Sequence, residues 1–499
     1  MQNPLTERCF KSIHQKRLQG TPYQILHTVF IDKEFPTSAV LDLIENLEKT
    51  AFSTIKDLFS FLKDFISVLY LARQSNKFLE EHKDRLSAVF QAVKLHPESF
   101  DSALSLSYFE LIGALLDLPA QEFDVSLLPS GFITEGSKDI SLLKERIVLQ
   151  NQIEISLNLL MIALIRQDQR LVEKASKIIL AFANCLDDQG ELLIGLWSSD
   201  VLQDKNPFFA LTFLTLYTFN QLSKHSVLDN ALKIQSGVIL GLPDLEIDSI
   251  GVYAFVLAFA LDQVLNQNLY ELKHEIQFSD QHGTVLEDVG LVVDKLGNFS
   301  TYLTLSGINH SIGSILAKDV QVIAMGPHFF PLGDISKFGI FQSIDREHFM
   351  PLSYEKHEDK TYIKGMTKII HADSNKTAVK PSDTWLQLEV ANESNKLKLS
   401  VSLLGEPCKL PLSFAFFIKS SETEMIGNRQ VKPKSLDKYI GPSQKVVFKG
   451  SNKNFSILPC FDEKMHLIPL QGKNHFWGAD YLLACEISQF SKKYSWEFQ

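Results

Sequence analysis

The chain has 499 residues, with 49 Lys and Arg against 59 Asp and Glu, for a formal net charge of −10. That length exceeds one ordinary core and implies two or three domains. A hydrophobic content of 45% with 22% charged residues excludes a disordered chain, and an acidic balance without a Lys/Arg block excludes non-specific nucleic-acid binding, which needs a positive field.

The N-terminal stretch MQNPLTERCFKSIHQKRLQG lacks the apolar centre of a secretory leader, so a cytoplasmic location is expected. From Thr37 to Tyr270 the apolar spacing is helical. Phe52, Ile55, Leu58, Phe59, Leu62, Phe65, Ile66 and Leu69 recur at three and four and fall on one face. The pattern returns at Phe78 to Val93, Phe100 to Leu116, Leu142 to Ile165 and Leu171 to Leu186. Ser38 is placed to cap the first of these helices, Ser99 or Asp101 to open the one after Pro97, and Asn206-Pro207 to start another. Asp187-Asp188-Gln189-Gly190 reads as a turn.

The uncharged run NPFFALTFLTLYTFNQLS approaches the length of a membrane span. Its Asn206, Thr212, Thr215, Thr218, Asn220 and Gln221 favour a helix enclosed by other helices, with no membrane insertion. The last helix, about Ile247 to Gln267, is apolar nearly all round and carries Tyr253. Nine or ten helices joined this way predict antiparallel pairs in an α/α toroid or an irregular α-solenoid, and no repeat of fixed period supports a regular array.

Near Tyr270 the period changes to two. In YELKHEIQF, Tyr270, Leu272, His274, Ile276 and Phe278 alternate with polar residues, as in a half-buried strand. Leu286 to Val293 reads as the next strand, Asp294 to Asn298 as a turn, and Phe299 to Leu305 as a further strand. TWLQLEVANESNKLKLSVSLLG is a hairpin turning at Asn392 to Asn395. Ser420 to Ser443 has no clear period and reads as a long loop. The expected architecture is an all-helical domain over residues 1–269 followed by an antiparallel β-sandwich over 270–499.

The chemistry concentrates in GINHSIGSILAKDVQVIAMGPHFFPLGDISKFG. His310 and His328 are candidate acid–base groups, because imidazole titrates nearest neutral pH. Asn309 can donate to a carboxylate or a developing oxyanion, and Lys318 and Trp477 are candidate substrate contacts, Trp477 by stacking on a sugar. Gly313 and Gly326 would let backbone or ligand come close. The simpler reading of each histidine is a strand-end residue holding a turn. Tyr253 is a candidate catalytic phenol, or a tyrosine that packs. Asn158 reads as a satisfied core amide and His274 as structural. Glu287-Asp288 and Asp187-Asp188 read as solvated or capping turn residues. His310, His328, His371 and Asp334 have no metal-ligand spacing, and no cofactor motif is present. The five cysteines, Cys9, Cys185, Cys408, Cys460 and Cys485, form no zinc or disulfide pattern and read as buried free thiols.

A helical N-terminal domain of this size before a β-sandwich resembles the polysaccharide lyases of the heparinase II/III and chondroitin-lyase kind. The resemblance spans the chain as an order of elements. It implies a cleft in which Tyr253, Asn309, His310 and His328 surround a uronic-acid unit, with β-elimination beside a neutralised carboxylate. Two departures stand against it. The helical half has no diagnostic Asn-His-Tyr-Arg run, and that group is typically exported. The sequence thus leaves two readings: a lyase-like protein acting on an acidic polysaccharide, or a non-enzymatic protein whose helical array holds a protein partner.

Overall fold

The computed structural model describes residues 3–14, 21–50, 54–94, 102–120, 127–133, 149–187, 190, 192–193, 206–223, 226–242, 250–267, 283–305, 311–317, 320–329, 349–372, 379–407, 412–420, 424–427, 429–432, 438–450, 454–470, 478–487 and 489–499. Eleven α-helices fall among the described residues of the N-terminal part. They are α1 (Pro4–His14), α2 (Thr21–His27), α3 (Thr37–Lys49), α4 (Ile55–Ala72), α5 (Asn76–Lys94), α6 (Ala103–Leu115), α7 (Leu149–Arg166), α8 (Gln169–Ala183), α9 (Asn206–Ser223), α10 (Ser226–Gly241) and α11 (Val252–Gln267). A short π-helix, Thr28–Asp32, follows α2.

Local signals set several ends. Thr54 caps α4 in a reciprocal box with Asp57. Ser102, not Ser99 or Asp101, caps α6 by accepting from the Ser105 amide. Ser38 is not a cap: α3 already begins at Thr37, and its N-cap Pro36 has no side chain to accept a bond. The turn after α8 closes as expected, with the Gly190 amide on the Asp187 carbonyl at 3.0 Å and Gly190 at φ +71°, where glycine is unstrained.

The helices close on themselves. α4 packs on α6, α6 on α7, α7 on α9, α9 on α11, and α11 back on α4. α3 and α5 lie against α4, α8 against α7, and α10 against α9. Closure explains why α7 buries every residue from Gln152 to Leu164: it has neighbours on all sides. No helix among the described residues is long and apolar enough to cross a membrane.

α1 latches this ring. Asn3 accepts from the Thr6 amide at 2.9 Å, and its own side-chain amide donates to the Ala258 carbonyl and to Asp262 of α11. Arg8 reaches the Leu242 carbonyl at 2.7 Å.

Among the described residues, the C-terminal part forms two nine-stranded antiparallel sheets. The strands are β1 (Thr284–Leu286), β2 (Leu291–Leu296), β3 (Phe299–Thr304), β4 (Gly313–Ala317), β5 (Val320–Phe329), β6 (Phe349–His357), β7 (Lys360–Ala372), β8 (Val379–Glu393), β9 (Lys396–Gly405), β10 (Leu412–Ser420), β11 (Glu424–Ile426), β12 (Arg429–Val431), β13 (Tyr439–Pro442), β14 (Val446–Lys449), β15 (Asn454–Pro459), β16 (Lys464–Pro469), β17 (Tyr481–Glu486) and β18 (Lys493–Phe498). The first sheet runs β1-β2-β3-β4-β5-β10-β17-β16-β13 and the second β12-β11-β14-β15-β18-β9-β8-β7-β6. Side chains from both sheets share one core, in which Trp496 meets Phe414, Phe416 and Phe461 at ring distances of 5.1 to 5.3 Å. This is a β-sandwich behind a helical part.

Several expectations change. Residues 270–278, read as a strand with His274, lie outside the described residues. Leu286 to Val293 is not one strand, because residues 287–290 turn and β1 pairs back on β2. Ser420 to Ser443 is not a loop throughout, since β11, β12 and β13 lie in it; they are too short to show a period. The β8–β9 hairpin turns more tightly than expected, at Ser394-Asn395 alone, so Asn392 stays in the ladder. Cys9, Cys185 and Cys485 are buried thiols, but Cys460 is exposed, just beyond the end of β15.

Asp294 is the largest correction. It sits in β2, 1% exposed, and not in a turn. It accepts from Thr361 Oγ1 at 2.6 Å, Asn392 Nδ2 at 2.9 Å and Tyr354 OH at 3.1 Å, all from the second sheet. One carboxylate thus pins the two sheets. Replacing Asp294 by Ala leaves the buried Thr361 and Asn392 donors without this acceptor, at about 1–3 kcal/mol each. Asp294→Ala should lower sandwich stability by about 3 kcal/mol in urea unfolding, and Asp294→Asn by less; an unchanged midpoint in the Ala variant would show the pin to be idle.

Candidate functional site

Four helices of the ring project polar side chains to one point. α7 carries Glu154 and Asn158, four residues apart and so on one face. α6 supplies Ser107 and Tyr108, α4 supplies Lys63, and α11 supplies Tyr253. Glu154 is the hub. Its Oε1 accepts from Lys63 Nζ at 2.8 Å and its Oε2 from the Tyr108 hydroxyl. Asn158 donates to Ser107 Oγ at 2.9 Å, and Ser107 in turn donates to the Leu104 carbonyl. The Tyr253 hydroxyl stands 3.5 Å from Asn158 Oδ1, long for an O–H···O bond. Lys63 Nζ lies 5.8 Å from the Tyr253 ring centroid, within cation–π range.

Burial grades across the cluster. Tyr108 and Asn158 are enclosed, while the Lys63 side chain is 27% exposed and Tyr253 is half-buried. The Lys63–Tyr253 edge is therefore the side open to solvent.

The electrostatics fix what the phenols can do. Burial holds Tyr253 well above the ordinary tyrosine value, the Glu154 charge raises it further, and hydrogen bonding with Tyr108 only partly offsets this. Tyr108 is raised for the same first reason, burial, and then by Glu154. At neutral pH both are protonated donors. Tyr253 is thus a hydrogen-bond donor and not a base.

Of the residues picked out by sequence, Tyr253 falls in this cluster. Asn158, read as a core amide, is its neighbour. His328 lies in β5, next to the end of the strand, paired with Ser413 of β10. The Gly-Pro-His segment is therefore ladder rather than turn. Asn309, His310, Lys318 and Trp477 lie outside the described residues. Gly313 does admit a close approach, but of backbone: a Cβ there would sit 2.5 Å from the Tyr302 carbonyl of β3. The Asp288 carboxylate accepts from the Ser130 amide at 2.8 Å, a long-range tie and not the solvated or capping role expected of it, and Asp187 is buried and takes Gln321 of β5 at 3.2 Å. Among the described residues no group of His, Cys, Asp and Glu could hold a metal ion.

Sequence reasoning missed Lys63, Tyr108 and Glu154. The available signal was a carboxylate and an amide four apart inside an otherwise apolar helix. A separate groove of about 330 Å³, lined by Leu47, Phe61, Arg85 and Val89 among others, shares no residue with the cluster.

No protein-family model matches the chain, and no curated protein does. Solved structures do match it. Xanthan lyase from Paenibacillus overlaps 98% of this chain with a TM-score of 0.52 and 9% identity, and the overlap covers 53% of that enzyme. Chondroitin AC lyase from Streptomyces coelicolor A3, solved with chondroitin sulphate, overlaps 99% of this chain and 74% of its own, at a TM-score of 0.50 and 8% identity. The chain thus spans about half of the first enzyme and three quarters of the second. At such identities the likeness shows the fold alone: an α/α toroid followed by an antiparallel β-sandwich, the architecture of these polysaccharide lyases.

The buried phenols generate a direct test. Each has its pKa raised on folding, so its stabilising effect is full below the ordinary phenol value near 10 and lost as pH rises through the folded value. In an ultraviolet titration Tyr253 should ionise only well above pH 10, seen as a late component missing from Tyr253→Phe. If Tyr253→Phe instead removed a component near pH 10, this phenol would be in solvent.

Proposed function

We propose that this chain acts on an acidic polysaccharide by β-elimination, at a site built on Tyr253 in the helical ring. The supporting observation is the half-buried Tyr253, its hydroxyl protonated, beside Lys63 on the solvent side of the cluster. In this reading the chain divides into a helical domain, 1–269, and a sandwich domain, 270–499, and the glycan lies against the first.

The step itself is simple to write. A base takes the proton from the sugar carbon next to the carboxylate. That electron pair forms a carbon–carbon double bond, the bond to the neighbouring glycosidic oxygen breaks, and the leaving oxygen takes a proton. The carboxylate must be neutralised for the carbon acid to be strong enough to lose its proton. Tyr253, protonated, suits the last transfer. Lys63 suits neutralisation, leaving Glu154 for the ligand. A protonated phenol leaves the base to another group. The histidines read from sequence, His310 and His328, fit that role, with Asn309, Lys318 and Trp477 as substrate contacts. The alternative is a protein that binds a partner without turnover. The Lys63–Glu154 pair favours it, because that pair already satisfies the cation.

The test is incubation with chondroitin sulphate, heparan sulphate and xanthan, following the ultraviolet absorbance of the unsaturated product. Tyr253→Phe should lower turnover at least about a hundredfold. With a histidine as base, turnover should rise as pH passes about 6.5, and His328→Ala or His310→Ala should remove that limb. Wild-type protein inactive on all three glycans, or full activity in Tyr253→Phe, would sink the lyase reading.

A further inference from the structure

The ring contains a third phenol that no contact yet described uses. On α4, Lys63, Ser67 and Tyr70 are spaced four and three apart and share one face, and Gln74 follows four residues on, in the turn just past the helix end. Both ends of this stripe touch α11. Lys63 lies over the Tyr253 ring, and Gln74 accepts from Gln263 of α11 at 3.0 Å. Tyr70, between them, therefore faces α11 too.

Tyr70 is 5% exposed, and its hydroxyl is buried without a hydrogen-bond partner. Its neighbour on the stripe differs: Ser67 Oγ donates to the Lys63 carbonyl at 2.8 Å. A buried hydroxyl that bonds to nothing is destabilising, and Phe would fill the same space without that loss. The oxygen needs an acceptor that joins from outside. Lys63 and Tyr253 mark where one could enter, since that end of the stripe is open.

We propose that Tyr70 is a further binding residue of this site, donating its hydroxyl hydrogen to an oxygen of the bound acidic glycan. The inference rests on the glycan reading above. Burial raises Tyr70, with Arg73 opposing, so it stays a donor at neutral pH, as Tyr253 does. Two neutral donors and Lys63 then face an anionic ligand from adjacent helices, α4 and α11.

Calorimetric titration with a uronic-acid tetrasaccharide, alongside thermal unfolding of the unliganded protein, tests this on wild type, Tyr70→Phe and Tyr253→Phe. Tyr70→Phe should keep or raise Tm while weakening Kd about tenfold. An unchanged Kd in Tyr70→Phe, with Tyr253→Phe impaired, overturns the Tyr70 role and leaves the glycan reading standing. A lower Tm in unliganded Tyr70→Phe also overturns it, because the hydroxyl would then already be satisfied by a buried water. Wild-type protein that does not bind the tetrasaccharide overturns both.

Discussion

A carboxylate inside an apolar ring is the constraint from which the rest of the site follows. Glu154 is 6% exposed on a helix whose neighbours are Leu, Ile and Met. An ion there is costly unless it is paired and hydrogen-bonded. Its partners come from two other helices, Lys63 of α4 and Tyr108 of α6. Meeting that demand fixes how α4, α6 and α7 stand relative to one another. It also draws a cation and a phenol to the point where Tyr253 arrives from α11. The site thus gathers around one charge, and its chemistry inherits that setting: burial first, and then Glu154, keep the nearby phenols protonated.

The seam between helices and sandwich rests on a different balance. The first sheet has two buried faces. In β10, Phe414, Phe416 and Ile418 face the second sheet, while Ala415 and Phe417 belong to a separate cluster on the other side. In β2 and β3, Leu291, Val293 and Tyr302 join the helical core. The few polar bonds across the seam are specific. Tyr302 donates to the Leu186 carbonyl at 3.1 Å, and Gln321 to Asp187 at 3.2 Å. Apolar contact supplies the area, and these bonds set the register between the two parts.

The same asymmetry explains what the sequence could show. The second sheet has one wet face, so β8 alternates and its Leu386, Leu388 and Val390 are legible as one buried face. The first sheet is covered twice, and FAFFI or YLLAC reads as a run without a face. Helices were legible where they were amphipathic, as in α8, and also where they were wholly apolar, as in α11. α1 was missed although its Asn3-Pro4 start repeats the Asn206-Pro207 signal, because the helix is short and polar. What could not be read were long-range polar pairings. Asp294 sits in a Gly-Asn turn context, and only its three cross-sheet donors reveal a buried pin. Glu154 likewise looks like one charge in a helix until Lys63, 91 residues away, is seen beside it.

That distinction bears on how a phenol and an imidazole would share labour here. A tyrosine can abstract a proton only if its anion is stabilised, by a cation or by donors close to the oxygen. Around Tyr253 the nearest cation, Lys63, is already bonded to Glu154, and the Asn158 atom facing the hydroxyl is the carbonyl oxygen, an acceptor. Both features favour O–H over O⁻. Acid and base would then sit on different elements, the acid on α11 and the base on a group with an ordinary pKa nearer neutrality. Any ligand that draws Lys63 away from Glu154 would change this, because it moves positive charge toward the substrate and leaves Glu154 more dependent on Tyr108. The buried ion pair is therefore the element through which substrate charge would be felt in the ring.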